Sequence, residues 1–155
     1  MVSHLDKKNN PIMVNVGDKH ITKRIAEARG EVVFDKLTFK KIEKLKSKKG
    51  SIKNIAIVAG IMGAKETSRL IPLCHNIPID SVNVDITKNT KMNSLKVSAT
   101  VQTSSKTGVE MEALTAVAVS CLTIYDMCKY LNKSIKIKNI KLISKKGGKS
   151  GNYQI

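Results

Sequence analysis

One long apolar segment constrains the fold of this chain more than any other feature of its sequence. Thr107 to Lys129, TGVEMEALTAVAVSCLTIYDMCK, carries apolar residues nearly all the way round a helix, and a helix of that composition is buried. We therefore predict a core helix here, with Glu110 and Glu112 at its start and Asp126 and Lys129 near its end. Acids at the start and a lysine at the end also suit the helix dipole, so the charges have a purely structural explanation as well as a functional one.

The spacing of these charges limits the kind of site that they can form. At about 1.5 Å of rise per residue, Glu112 and Asp126 lie on the order of 21 Å apart, which is too far for one small site. If both ends act chemically, either the chain has two sites or two copies of the chain meet. Asp126 and Lys129 share one face of the helix and can act together. A site within one chain stays open for Lys49, His75 and Lys129.

Length and charge bound the possible functions. A chain of 155 residues is expected to form one domain with its own core. The net charge of +16 points to an anionic partner, which is a nucleic acid, a membrane surface or a phosphorylated small molecule. The excess is nearly all lysine, and aromatic residues make up 3%, which leaves few groups for base stacking. A basic nucleic-acid-binding α+β module is therefore the alternative to an enzyme.

The cysteines and the N-terminus indicate the compartment. Cys74, Cys121 and Cys128 form no paired framework, and no apolar signal region opens the chain, so we expect a soluble protein of the reducing cytoplasm that does not enter a membrane. Cys121 and Cys128 are two turns apart on the apolar helix and no Cys-x-x-Cys pair exists, so no metal site is expected.

The order of predicted elements indicates the fold class. Residues 1–30 are predicted to form an extended arm, residues 31–144 a single catalytic α+β domain, and residues 145–155 a flexible basic tail. The predicted elements are a strand at Glu31–Leu37, a helix at Phe39–Lys48 capped by Thr38, a helix capped by Ser51 that ends before Pro72, a hairpin from Ser81 to Val101, the core helix, and a strand at Ile135–Ile143. This order predicts a ferredoxin-like antiparallel sheet with an additional helix in the first crossover.

Three shorter features carry candidate chemistry. The segment LIPLCHNIPI holds His75 between two prolines, which suits either a structural or a catalytic histidine. The tail KKGGKSG lacks the first glycine of a P-loop, although Lys145 and Lys149 could still fold over an anion. Arg24 is either a phosphate ligand or a surface charge. The inventory of lysines, carboxylates and one loop histidine suits general acid–base chemistry, in which crowding and burial would lower the pKa of a lysine.

Four of these segments together resemble one family. LIPLCH, KTGVEMEALTA, LTIYDMCK and KKGGKSG are similar to the cyclic pyranopterin monophosphate synthases, the C proteins of molybdenum cofactor biosynthesis, over about Met13 to Tyr153. The resemblance implies a lyase that converts a 3′,8-cyclised dihydroguanosine triphosphate to cyclic pyranopterin monophosphate with release of pyrophosphate. It also implies a homohexamer built as a trimer of dimers, with active sites at the dimer interface and no cofactor.

The resemblance also assigns roles to residues. The implied catalytic residues are Lys49, Asp126 and Lys129. The implied substrate contacts are Leu73, Cys74, His75, Glu110, Met111 and Glu112, with Lys65, Arg24 and Lys145 expected at the triphosphate. The chain departs from the family pattern at Ser51, where an acid is usual, at Asn76, where proline is common, and at Val58, where a basic residue is common.

Overall fold

The computed structural model describes residues 4–44, 51–148 and 151–155. These residues form one five-stranded sheet in the order β2-β3-β1-β4-β5, with helices on one face. The elements in chain order are β1 (Thr22–Val33), α1 (Lys36–Lys44), α2 (Ile52–Lys65), α3 (Thr67–Leu70), β2 (Ser81–Asn89), β3 (Ser94–Ser105), α4 (Glu110–Cys128), β4 (Lys136–Lys146) and β5 (Tyr153–Gln154).

The sheet topology confirms the predicted fold class. β1 lies in the middle and pairs antiparallel with β3 and β4, while β2 pairs antiparallel with β3. This is the ferredoxin-like α+β arrangement. The first crossover, from β1 to β2, contains α1 in addition to α2, as the sequence predicted, and α3 adds a short turn after α2.

Small residues on β1 bring the core helix close to the sheet. Ala26, Ala28 and Val32 are buried on the helix side of the strand. A Cβ added to Gly30 would overlap the side chain of Val117 and would lie tightly against those of Ile140 and Cys121. The absence of a side chain at Gly30 therefore lets α4 lie directly on the middle strand, and this fixes the height of α4 over the sheet.

Helix α4 is buried against both the sheet and α2, which confirms the predicted core helix, and only its outer side faces solvent. Ala113, Val117, Cys121 and Ile124 are fully buried, but Leu122 is 58% exposed on the opposite side of the helix. By length and composition alone α4 is apolar enough to cross a membrane. Its packing on the sheet gives the apolar residues a partner within the chain, as in the core helices of soluble proteins.

Several predicted element ends are also wrong. β1 begins at Thr22 rather than Glu31, so the end of the predicted arm belongs to the central strand, and alanines with low strand propensity concealed it. Helix α1 begins at Lys36 because Asp35, not Thr38, accepts the backbone N–H groups of Leu37 and Thr38. Its predicted end at Lys48 lies outside the described residues.

The predicted tail also contributes to the sheet. β4 continues to Lys146, and β5 pairs with Ser144 and Lys145. The hairpin is confirmed, with β2 and β3 joined through residues 90–93. The assignment of residues 31–144 as the catalytic domain stays a prediction.

Candidate functional site

Two glutamates at the start of α4 lie in different environments. Glu112 is buried, with 4% of its surface exposed, and Glu110 is about a quarter exposed. Burial raises the pKa of Glu112, and the charge of Glu110 adds to that rise. The neighbouring Cys74 has a raised pKa for the same reasons, burial first and the charge of Glu112 second. The charge of Glu112 therefore acts on Cys74, and the assignment of both residues as substrate contacts stays a prediction.

Lys145 joins this group through the sheet. Its register opposite Ala26 on β1 places it at the end of β4 that faces the start of α4. There its Nζ lies 3.2 Å from Oε1 of Glu110, and both side chains are about a quarter exposed. The ion pair with Glu110 thus keeps the ammonium group of Lys145 at the start of α4.

Arg24 is held between a loop and the glycine pair of the tail. Its Nη2 donates to the carbonyl oxygen of Lys106 at 3.2 Å, while its buried Nε has no hydrogen-bond partner among the described residues. Gly147 and Gly148 both have positive φ, and a Cβ on Gly148 would overlap the guanidinium of Arg24. The glycines therefore seat Arg24. Lys149 lies outside the described residues, and the folding of Lys145 and Lys149 over an anion stays a prediction.

His75 lies in the loop between α3 and β2. Its Nε2 is 2.7 Å from the carbonyl oxygen of Val14, in the N-terminal arm. The loop itself is fixed at its far end, where the hydroxyl of Thr103 donates to the carbonyl of Pro78. His75 is thus held in one orientation by Val14 of the arm, and Val14 lies outside the four segments that carry the family resemblance.

The other end of α4 carries a separate charged pair. Nζ of Lys129 lies 2.7 Å from Oδ1 of Asp126, and both side chains are exposed. The hydrogen bond to Asp126 and the charge of Asp126 raise the pKa of Lys129. Burial, which would lower the pKa of a lysine, has little effect here because Lys129 is exposed. In the single chain this is opposite to the lowered pKa expected of a crowded lysine.

The start of α2, at Ser51, is the nearest described point to the predicted catalytic Lys49. Lys49 lies outside the described residues. Ser51, the departure from the family pattern, is the N-cap of α2 and accepts the N–H of Asn54. An acidic residue would make the same cap about equally well, so the departure preserves the helix start.

The remaining predicted residues divide between the two ends. β1 and β2 run in the same direction, since both are antiparallel to β3. Helix α2 returns from β1 to β2 and α4 returns from β3, so the two helices run in opposite directions. Lys65, in the last turn of α2, therefore lies toward the end of α4 that holds Glu110. Lys65 and Met111 are exposed, and Leu73 is half-buried. One chain thus gathers Arg24, Cys74, Glu110, Glu112 and Lys145, and holds Asp126 and Lys129 on the order of 21 Å away.

An exposed apolar strip lies between the two ends. Ile55, Val58 and Met62 follow one another at helical spacing on the outer side of α2 and are 36%, 56% and 61% exposed. Leu122 is exposed on the adjacent α4. We call Ile55, Val58, Met62 and Leu122 the helix strip. Exposed apolar side chains on two packed helices are typical of a contact between proteins.

Two further observations concern possible metal sites and clefts in the described part of the chain. In the described part of the chain, no three His, Cys, Asp or Glu side chains gather closely enough to hold a metal ion. A cleft of about 670 Å³ opens on the other face of the sheet beside Arg29, Lys96 and Lys141, and no predicted site residue lines it.

Sequence reasoning missed Val14, Lys106 and the seating role of Gly148. Val14 and Lys106 act through backbone carbonyl groups, which leave no signal in residue type. The Gly-Gly pair did carry a signal for positive φ, although its contact with Arg24 depends on the pairing of β4 with β1.

Comparison with known proteins gives a consistent result. The family model described as the MoaC family matches residues 13–148. The chain is 49% identical to a cyclic pyranopterin monophosphate synthase of Helicobacter hepaticus, over 98% of this chain and 96% of that protein. It is also 49% identical to the protein of that name from Campylobacter jejuni, over 98% of this chain and 97% of the relative.

Proposed function

This chain belongs to the MoaC family, and we propose that it is a cyclic pyranopterin monophosphate synthase of molybdenum cofactor biosynthesis. The observation that carries this function is the identity of 49% over nearly the whole length of relatives that bear that name. The reaction converts (8S)-3′,8-cyclo-7,8-dihydroguanosine 5′-triphosphate to cyclic pyranopterin monophosphate and pyrophosphate. The enzyme acts as a soluble protein of the cytoplasm.

The basic residues at the start of α4 suit a triphosphate. The Nε of Arg24 is a buried donor without a partner in the described residues, and Lys145 is paired with Ala26, two residues along β1 from Arg24. A phosphate oxygen would satisfy that donor, and guanidinium and ammonium groups bind phosphate by charge-assisted hydrogen bonds. Lys65 extends the same positive end of the molecule. These three residues hold the triphosphate, while Glu110 and Glu112 hold the base and sugar together with His75 and Cys74, flanked by Leu73 and Met111.

The acid–base chemistry belongs to the other end of α4. Opening and rebuilding the purine ring requires proton transfers, which a lysine can supply when its charge is tuned by its neighbours. Asp126 holds Lys129 in place at 2.7 Å. Lys49 is the second proton-transfer group. The raised pKa of Lys129 in the single chain is expected to fall when the site closes around it and excludes solvent.

Two copies of the chain complete each site. The groups at the two ends of α4 are too far apart to act on one substrate, whereas two copies related by a twofold axis bring the start of one α4 to the end of the other. The helix strip supplies an apolar surface for that contact. The complete assembly is a homohexamer, a trimer of such dimers.

The reaction itself is tested with purified protein and the cyclised dihydro-GTP substrate. Pyrophosphate release and pterin formation are measured for the wild type beside Lys49→Ala and Lys129→Ala, with Lys91→Ala as a control at the turn between β2 and β3. We expect turnover in the wild type and the control, and a loss of about 10²-fold or more in each of the other variants. A folded wild type that releases no pyrophosphate would contradict the proposed reaction.

A further inference from the structure

The N-terminal arm contacts the site at two points. We define the arm as residues 4–17. The carbonyl oxygen of Val14 lies 2.7 Å from Nε2 of His75, and the carbonyl oxygen of Gly17 accepts a hydrogen bond from Nζ of Lys106. Lys106 in turn holds Arg24 through its own carbonyl oxygen. Both contacts of the arm therefore reach segments that carry predicted substrate contacts.

The contact with His75 is polar and local rather than part of the core. Ile12 and Met13, on the arm beside Val14, are 40% and 54% exposed, so apolar burial does little to hold the arm in place. The far end of the arm closes on itself, since the Asp6 carboxylate accepts hydrogen bonds from the backbone N–H groups of Lys8 and Asn10. The hydrogen bonds from Asn10 contribute most to the lowered pKa of Asp6. The hydrogen bonds of Val14 and Gly17 are what tie this closed loop to the site.

The chemistry of the Val14 contact determines where the imidazole proton lies. A backbone carbonyl oxygen can only accept a hydrogen bond, so Nε2 of His75 must carry the proton that is donated. In a neutral imidazole the other nitrogen, Nδ1, is then unprotonated and can only accept. The arm therefore sets which nitrogen of His75 is a donor and which is an acceptor.

We propose that the N-terminal arm is a positioning element of the active site, in which the Val14 carbonyl fixes His75 with Nε2–H so that Nδ1 accepts a hydrogen bond from an N–H group of the substrate base. Val14 acts through His75 and does not itself touch the substrate. The role of the substrate in this proposal rests on the proposed function, whereas the placement of the proton does not.

The direct test weakens one carbonyl group in the full-length chain. Replacing Asn15 with its α-hydroxy acid turns the Val14–Asn15 amide into an ester, whose carbonyl oxygen is a poorer acceptor. The matched control places the same change one residue later, at Val16, where it weakens the carbonyl of Asn15 instead. Neither the Asn15 carbonyl nor the Val16 amide makes one of the arm contacts described above.

Two measurements are made on the three proteins. Long-range ¹H–¹⁵N correlation NMR assigns the protonated nitrogen of His75 and the exchange of its proton with water, with His75→Gln identifying the signal among the three histidines. Steady-state turnover gives kcat and KM. We expect an Nε2–H tautomer with a slowly exchanging proton in the wild type and in the Val16 ester. In the Asn15 ester we expect faster exchange and a KM about three- to tenfold higher at unchanged kcat.

The outcomes separate this proposal from the proposed function. An Nδ1–H tautomer in the wild type, or identical exchange and KM in the two esters, would overturn the positioning role. Failure of the wild type to turn over the substrate, with the NMR results as expected, would overturn the proposed function and leave the arm as the element that fixes the His75 proton.

Discussion

At the scale of residues, burial gives two neighbouring glutamates different properties. Glu110 is paired with Lys145 and stays in contact with solvent, whereas Glu112 is 4% exposed beside Cys74. The raised pKa of Glu112 means that the folded protein holds this proton more tightly than the unfolded chain does. Stability is therefore lost as the pH rises from the usual pKa of a glutamate through the higher folded value.

Replacing Glu112 with Gln tests this environment. We expect Glu112→Gln to raise the free energy of unfolding at pH 7 and to have little effect near pH 4, because the amide never ionises. We expect KM to rise about 10- to 100-fold, since a hydrogen bond from the substrate to a charged group is lost. Urea unfolding at the two pH values and steady-state turnover check both effects. Glu66→Gln is the control, because Glu66 is exposed beside Arg69; an equal change in stability in both variants would contradict the role of burial.

A second residue-scale prediction concerns the pair at the end of α4. We expect Asp126→Asn to lower the pKa of Lys129 toward its ordinary value, since the hydrogen bond to the Asp126 carboxylate and then its charge are what raise that pKa. Turnover should fall about 10²-fold or more, while the free energy of unfolding should stay within about 0.5 kcal/mol because both side chains are exposed. NMR titration of Lys129, turnover and thermal unfolding provide the measurements. Full activity in a stable variant would remove Asp126 from the catalytic group.

At the scale of elements, the spacing of apolar residues along strands and helices could be read from the sequence, whereas the close contacts between elements could not. The hairpin was predictable because Val82, Val84 and Ile86 alternate strictly, and the start of α2 because Ser51 is a strong cap. The start of β1 was missed because alanines replace branched residues where α4 presses on the strand. The contact between Gly148 and Arg24 was missed because it requires the pairing of β4 with β1 to end at Lys146, opposite Ile25.

The glycine pair at the end of β4 gives an element-scale prediction. Gly148 and Gly151 both have positive φ, so an alanine at either costs about 1–2 kcal/mol in backbone strain. Only at Gly148 does the new Cβ meet Arg24, and nothing lies near a Cβ on Gly151. We therefore expect Gly148→Ala to raise KM about tenfold or more relative to Gly151→Ala, through loss of a charge-assisted contact with the triphosphate. Equal values of KM in the two variants would show that Arg24 does not depend on this seat.

At the scale of the whole molecule, the helix strip accounts for an apolar surface that the fold leaves uncovered. We expect Val58→Glu to prevent association, because the charge would be buried at the contact without a partner. Sedimentation velocity should show smaller species than the wild type, and turnover should be lost with the assembly. Leu37→Glu serves as the control, since Leu37 is 73% exposed on α1 and outside the helix strip. Unchanged assembly of Val58→Glu would move the contact to another surface.

The central claim is that each site takes the start of α4 from one chain and the end of α4 from another. It is tested by mixing two impaired variants, Glu112→Gln and Lys129→Ala, unfolding them together, refolding them and assaying them at a substrate concentration well below the wild-type KM, where the raised KM of Glu112→Gln lowers turnover most. In a random mixture of twofold pairs, about a quarter of the sites receive both intact residues, so turnover should return to about a quarter of the wild-type value. Variants refolded separately and then assayed together should keep the low turnover of the two variants. No recovery in the co-refolded mixture, with assemblies of normal size, would contradict a site shared between chains.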